Sequence, residues 1–137
     1  VNGVIVDSNV ILDVVTEDPT WFPWSSRTLA RCANEGLLLI NPIIYAEVSV
    51  GYERIEELDA ALPTDYFHRI PLPWEGAFLT GKSYLVYRRK GGRRRSPLPD
   101  FYIGAHAAVM GVPLLTRDSR RYQTYFPRLR LITPAAE

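Results

Sequence analysis

Short unbroken apolar runs alternate along this chain with longer stretches in which apolar residues recur every three to four positions. Val4-Ile5-Val6 ends at Asp7 and shows no polar alternation, the pattern of a strand buried on both faces of a parallel sheet. Leu37-Leu38-Leu39-Ile40 repeats the pattern and stops at Asn41-Pro42. Pro113-Leu114-Leu115-Thr116 predicts a third strand, and Phe67 to Leu72, ending among Pro71 and Pro73, a fourth. Leu129, Leu131 and Thr133 alternate with Arg128, Arg130 and Ile132, which suits a final edge strand.

Helical periodicity fills the gaps. Residues 8–14 follow Asp7 as a helix, and residues 25–35 fit one capped by Ser25 or Ser26 and ended by Gly36. Ile44, Val48, Gly51 and Ile55 share one helical face. Trp74, Phe78, Gly81 and Leu85 repeat that spacing, in a helix that runs on into Arg88-Arg89-Lys90. Residues 100–110 form a largely apolar helix, opened by Pro99 and closed by Gly111. Strands alternating with helices imply crossover units, hence an α/β fold with a parallel sheet covered by helices. There is no internal repeat, and residues 1–137 read as a single domain. The stretch Gly91-Gly92-Arg93-Arg94-Arg95-Ser96-Pro97 reads as an exposed flexible loop.

Composition narrows the class. With 47% apolar and 23% charged residues the chain is ordinarily globular. Its apolar runs fall far short of the ~20 residues of a spanning helix, so no membrane partner is expected. No charged-then-apolar leader opens it, and Cys32 stands alone, so a reducing cytoplasm is the expected compartment. Cys32, His68 and His106 do not make a zinc site at any familiar spacing. The net charge of +1 conceals a division: residues 1–66 hold 11 acids and 3 bases, residues 67–137 hold 4 acids and 13 bases. That asymmetry fits either an anionic partner or two segregated solvated faces.

Four carboxylates sit where a purely structural role is awkward. Asp7 ends the first buried strand, where open parallel sheets place their sites, although it would also cap the following helix. Glu47 lies on the same side of its helix as Ile44, Val48 and Gly51, and a carboxylate facing a core is costly unless paired. Asp100 begins the apolar helix after Pro99, a favourable place for a negative charge, with Gly104 removing bulk one turn on. Asp118 follows the strand ending at Thr116, again as a site or a cap. All four can converge at one end of the sheet. Two unit charges ~4 Å apart at an effective dielectric near 20 repel by ~4 kcal/mol. A divalent cation removes the conflict, and an all-oxygen donor set suits Mg²⁺ or Mn²⁺.

Asp7-Ser8-Asn9-Val10 after Val4-Ile5-Val6, Glu47 in Tyr45-Ala46-Glu47, Pro99-Asp100-Phe101 leading to Ala105-His106-Ala107, and Leu115-Thr116-Arg117-Asp118 together resemble the PIN-domain ribonucleases. Among these the chain looks most like the VapC toxins of bacterial toxin–antitoxin pairs. The resemblance spans nearly the whole chain and rests on the order and spacing of the four acids. It implies a three-layer α/β/α fold with a short, mostly parallel sheet. It implies a metal-dependent endoribonuclease that uses one or two Mg²⁺ or Mn²⁺ ions and a metal-activated water to cleave RNA phosphodiester bonds. It also implies a homodimer and a cognate antitoxin protein. Asp7, Glu47, Asp100 and Asp118 match the family's catalytic, metal-binding acids, and Asn9 and Thr116 the polar positions that support them.

Arg88, Arg89, Lys90, Arg93, Arg94 and Arg95 precede Asp100, and Arg117, Arg120 and Arg121 flank Asp118. They are candidates to engage RNA phosphates, against the alternatives of a solvated loop or a protein contact. His106 lies about 240° around the helix from Asp100, which reads as a core or interface residue, and His68 as structural. Trp21, Phe22 and Trp24 either cap the core or anchor a protein interface. Cys32 reads as a small buried apolar residue.

Other classes fit less well. A haloacid-dehalogenase-like phosphatase wants an acid where Asn9 stands. A receiver domain wants an early acidic pair and a lysine after a late strand. A nicotinamide-binding domain wants a Gly-x-Gly-x-x-Gly turn. The remaining alternative is a non-catalytic RNA-binding or protein-interaction module on the same fold.

Overall fold

The computed structural model describes residues 2–93 and 98–134. Strands β1 (Gly3–Val6), β2 (Leu37–Ile40), β3 (Phe67–Arg69), β4 (Leu114–Leu115) and β5 (Leu131–Ile132) form one five-stranded sheet in the order β3-β2-β1-β4-β5. Every pair is parallel. Helices α1 (Ser8–Val15) and α2 (Phe22–Glu35) connect β1 to β2, and α3 (Pro42–Ser49) and α4 (Ile55–Ala61) connect β2 to β3. The chain then crosses the sheet through α5 (Trp74–Arg89) and α6 (Pro99–Met110) to reach β4, and α7 (Ser119–Tyr125) leads to β5. Right-handed crossovers that step away from β1 in opposite directions place their helices on opposite faces. The result is the three-layer α/β/α architecture expected from the sequence, with an all-parallel sheet.

Two covered faces explain the unbroken apolar strands. Ile5, Val6, Leu38, Leu39, Ile40, Leu114 and Leu115 are all buried. The strand order reverses between β1 and β4, so a crevice opens beyond their carboxyl ends. Its floor is closed by Asp7 N–H donating to the Leu115 carbonyl at 2.9 Å.

The helices depart from the sequence reading in three places. The apolar spacing from Ile44 to Ile55 spans two helices. Ile44 and Val48 are buried in α3, but a tight turn follows, with Gly51 N–H on the Val48 carbonyl, and Ile55 is exposed at the start of α4. Helix α2 starts earlier than either serine. Asp18 accepts from the backbone N–H groups of Thr20 and Trp21, Pro23 sits in the first turn, and Ser25 is buried within the helix. In α5 the large residues of the expected apolar face, Trp74, Phe78 and Leu85, point outward, with Trp74 89% and Phe78 69% exposed, while Leu79, Tyr84 and Tyr87 pack part-buried against the core. The buried face is Gly76, Thr80 and Ser83, small residues that let α5 approach α6 closely. A Cβ added at Gly76 would lie 3.7 Å from His106 Cα.

Two residues singled out from the sequence have opposite fates. His106 is buried on α6 with Nδ1 3.0 Å from Asn41 Nδ2, a bond that ties two layers together. Asn41 in turn caps α3 by accepting from Ile44 N–H. His68, by contrast, is exposed on β3, so it does not belong to the core. The room that Gly104 leaves one turn from Asp100 is taken up by Tyr122 and Phe126. A Cβ there would stand 2.5 Å from Phe126 Cε2 and 3.0 Å from Tyr122 Cδ1, so the glycine admits α7 and the segment after it. Gly104→Ala is therefore expected to destabilise the fold by about 1–3 kcal/mol, since overpacked cores relax only at a cost. Urea unfolding measures this, and an unchanged midpoint would contradict it.

Among the described residues no helix is long and apolar enough to cross a membrane. Cys32 is buried, as expected of a small apolar residue. Trp24 is buried and meets Trp21 edge to face, with ring centroids 6.4 Å apart.

Candidate active site

Asp7 leaves β1 in extended conformation and turns the chain into α1, so its carboxylate lies at the mouth of the crevice and is buried. Its two oxygens have different partners. Oδ1 accepts from the Ser8 backbone N–H at 2.8 Å, the capping role. Oδ2 accepts from the Thr116 hydroxyl at 2.8 Å, the Tyr122 hydroxyl at 3.0 Å and the Asn9 amide at 3.4 Å. Cap and site are thus one residue serving both tasks.

The remaining polar groups are cross-braced. Asn9 donates to Thr116 Oγ1 at 3.2 Å and accepts from Arg117 N–H, tying α1 to the segment after β4. Thr116 Oγ1 also accepts from Asp118 N–H at 3.1 Å. Ser8 donates its hydroxyl to Glu47 Oε1 at 2.7 Å, which sets the half-buried Glu47 of α3 beside Asp7. Asp100, in the first turn of α6, pairs with Arg121 Nη1 at 3.2 Å. Asp118 is exposed and makes no side-chain cap for α7.

The charges of these acids act on one another. Burial, followed by the charges of Asp100 and Glu47, pushes Asp7 up to about 6, against the lowering effect of the Thr116 and Tyr122 hydroxyls. Burial and then the Asp100 charge raise Glu47, although its hydrogen bond from Ser8 pulls the other way. Burial raises Asp100, and Asp118 adds to the rise while Arg121 opposes it. Burial and the charges of Asp7 and Asp100 hold Tyr122 well above the ordinary phenol range, so its hydroxyl keeps its proton and donates. The structure therefore brings the four acids of the sequence reading into one electrostatic neighbourhood, with Asn9 and Thr116 between them. Among the described residues, no three acidic, imidazole or thiol groups close on a single point. The donor chemistry nevertheless fits a hard divalent cation: clustered carboxylates, disfavoured in their ionised form by burial and mutual repulsion, with few cations against them.

Arg117 turns away from this cluster. Its Nε and Nη2 grip both oxygens of Asp13 at 2.6 and 3.0 Å, and its guanidinium lies 5.1 Å from the centre of the Trp21 ring. Ser25 completes the arrangement with a 2.6 Å hydrogen bond to Asp13. This group pins the segment carrying Thr116 onto α1 and α2. Of the other candidate bases, Arg88 and Arg89 form the last turn of α5, and Lys90 sits over the Tyr125 ring at 5.5 Å. Arg93 follows as an exposed residue, whereas Arg94 and Arg95 lie outside the described residues.

Sequence reasoning did not single out Ser8, Asp13 or Tyr122. Ser8 and Asp13 carried no signal beyond their place on the first helix. Tyr122 carried one: four residues beyond Asp118, it lies one helical turn on and returns toward the same crevice.

Fold and site together define an α/β/α domain with an acidic crevice at the carboxyl ends of two parallel strands. The chain belongs to the PIN domain family, whose profile matches residues 4–127. No curated protein sequence matches it. Among solved structures it is similar to VapBC2 from Rickettsia felis bound to a DNA fragment from their promoter, at 19% identity over 94% of this chain and 96% of that chain, TM-score 0.72. It is similar to VapBC-1 from nontypeable Haemophilus influenzae, at 19% identity over 94% and 96% of the two chains, TM-score 0.71. A toxin–antitoxin complex from Klebsiella pneumoniae matches at 19% identity over 96% of this chain and 98% of that one, TM-score 0.66.

Proposed function

We propose that this chain is a metal-dependent endoribonuclease, the toxin of a VapBC-type toxin–antitoxin pair. The observation that carries the reading is the buried Asp7 at the strand-order reversal, raised in pKa by burial and by the charges of Asp100 and Glu47. Membership of the PIN family, whose domains are generally nucleases, supports it. So does the likeness to chains from toxin–antitoxin complexes.

In this reading Asp7, Glu47 and Asp100, with Asp118 at the exposed rim, hold one or two Mg²⁺ or Mn²⁺ ions. Such an ion supplies a water of lowered pKa and positive charge against a phosphate. The chain's own residues supply order. Thr116, Tyr122 and Asn9 fix one oxygen of Asp7, and Ser8 fixes Glu47, so the acids keep their orientation without reorganising. Arg88, Arg89, Lys90 and Arg93 with the adjacent Arg94 and Arg95 engage RNA phosphates, giving affinity without base readout. Trp74, Phe78, Leu85 and Val86 on α5 give a protein partner, a second copy or the antitoxin, an apolar surface to cover.

Incubation with structured RNA tests the reading. Cleavage is expected with Mg²⁺ or Mn²⁺, none with EDTA, and recovery when the metal is returned. Cleavage indifferent to chelation would refute it. RNA binding with no cleavage under any metal would favour the non-catalytic module.

A further inference from the structure

Two arginines of neighbouring sequence meet carboxylates near the crevice, and the two pairs differ in kind. Arg117 holds Asp13 with two hydrogen bonds, at 2.6 and 3.0 Å, and Asp13 is only 3% exposed, so that pair is fixed. Arg121 touches Asp100 through a single Nη1 at 3.2 Å, longer than the ~2.7–2.9 Å of a strong charge-assisted bond. Its side chain is 40% exposed and that of Asp100 is 27% exposed. The backbone beneath it is anchored, because the next residue, Tyr122, is buried and bonded to Asp7. Arg121 is therefore a loosely held cation on a firmly placed stem, at the rim of a cluster whose acids outnumber it.

We propose that Arg121 is a displaceable counter-ion: it occupies Asp100 until a divalent cation takes that carboxylate, and then moves to an RNA phosphate entering the crevice. This rests on reading Asp7, Glu47, Asp100 and Asp118 as the metal site. The physical reason is charge balance. A carboxylate partly neutralised by a guanidinium is a poorer ligand, so the ion must break the pair. Once it has, the guanidinium faces a positive ion and is driven off Asp100. The phosphate is the anion that arrives at the same place, and the arginine fork matches its oxygens.

The exchange gives substitutions opposite signs for metal and for RNA. Calorimetric titration of Mn²⁺ without RNA into the full chain is expected to show Arg121→Gln binding about two- to fivefold more tightly than wild type, the worth of a part-exposed pair. Arg120→Gln, which removes an exposed charge one residue away, is expected to leave Mn²⁺ affinity nearly unchanged, and Arg121→Lys to stay near wild type. In cleavage assays at saturating metal, Arg121→Gln is expected to raise KM for RNA. Equal gains in Mn²⁺ affinity for both glutamine variants would reduce the effect to a general field and overturn the proposal. Weaker Mn²⁺ binding in Arg121→Gln, or an unchanged KM, would overturn it as well. A wild type that cleaves RNA with Mn²⁺ while Arg121→Gln is indistinguishable defeats this proposal alone. A wild type that neither binds Mn²⁺ nor cleaves defeats the nuclease reading with it.

Discussion

Asp7→Asn is expected to lower metal-dependent RNA cleavage by about 10³-fold, because an ion contributes several kcal/mol to such a reaction and each 1.36 kcal/mol is tenfold in rate. The substitution keeps the size of the side chain and removes the charge on which the other acids depend. Its oxygen can still accept from Ser8 N–H, so the start of α1 is preserved. The new amide nitrogen then faces the donors that serve Oδ2. The Thr116 hydroxyl already accepts from Asn9 and Asp118, so its proton has little freedom to turn away, whereas the Tyr122 hydroxyl is free to reverse. That local cost is offset by the loss of a buried charge, so the variant is expected to fold. Gel or mass-spectrometric mapping of RNA products gives the rate, and thermal unfolding checks the fold. A folded variant that cleaves within tenfold of wild type would rule out Asp7 as a ligand.

Much of the architecture was written in the strands. Val4–Val6, Leu37–Ile40 and Leu114–Leu115 are apolar without alternation because both sheet faces are covered, and that is visible residue by residue. The ends of α6 were equally plain, since Pro99 lies in its first turn and Gly111 adopts the left-handed conformation that closes it. The orientation of α5 was not. Periodicity gives the spacing of a face, but Gly76, Thr80 and Ser83 face inward because α6 lies too close for larger side chains. The break between α3 and α4 was hidden for a related reason: two successive helices happened to keep one apolar phase across the turn at Gly51.

The site divides in the same way. Asp7, Glu47, Asp100 and Asp118 stood out because each carboxylate sits in an apolar run or at the end of one. Ser8 and Asn9 orient Asp7 from beside it, but its shortest hydroxyl contacts come from far along the chain. Tyr122 is 115 residues from Asp7 and Thr116 is 109. Those pairings exist only once β4 lies beside β1, so nothing local to Asp7 announces them, and the spacing of Tyr122 from Asp118 gives its direction but not its partner. Arg117 shows the converse. A basic residue next to a candidate acid reads as a phosphate contact, yet Asp13, buried about one and a half turns into α1, claims it.

Metal-free protein is expected to lose stability as pH rises from about 4 to about 6, and Asp7 is the main cause. Its folded value is about 6 and its ordinary one 3.8. The folded state therefore binds the proton more tightly than the unfolded state across that window. Unfolding becomes easier as the proton is lost, and the slope ends once pH exceeds the folded value. The full change is about 3 kcal/mol from Asp7, at 1.36 kcal/mol for each pH unit that separates its folded and ordinary values. Glu47 and Asp100 are raised too, so they act in the same direction. Asp59 is lowered, chiefly by its hydrogen bonds from Tyr45 and Arg69, and acts oppositely from an exposed position. Urea unfolding in EDTA at several pH values, on wild type and Asp7→Asn, isolates the Asp7 contribution as the difference between the two curves. That difference should change steeply between about pH 4 and 6 and be flat above. Mg²⁺ or Mn²⁺ should restore wild-type stability at higher pH. Their apparent affinity should fall about tenfold per pH unit well below about pH 6, where proton and ion compete for the same carboxylate. A difference curve that is flat throughout would mean that Asp7 is ionised in the folded protein as easily as in water. The crevice would then lack the buried, unbalanced charge on which its affinity for a cation depends.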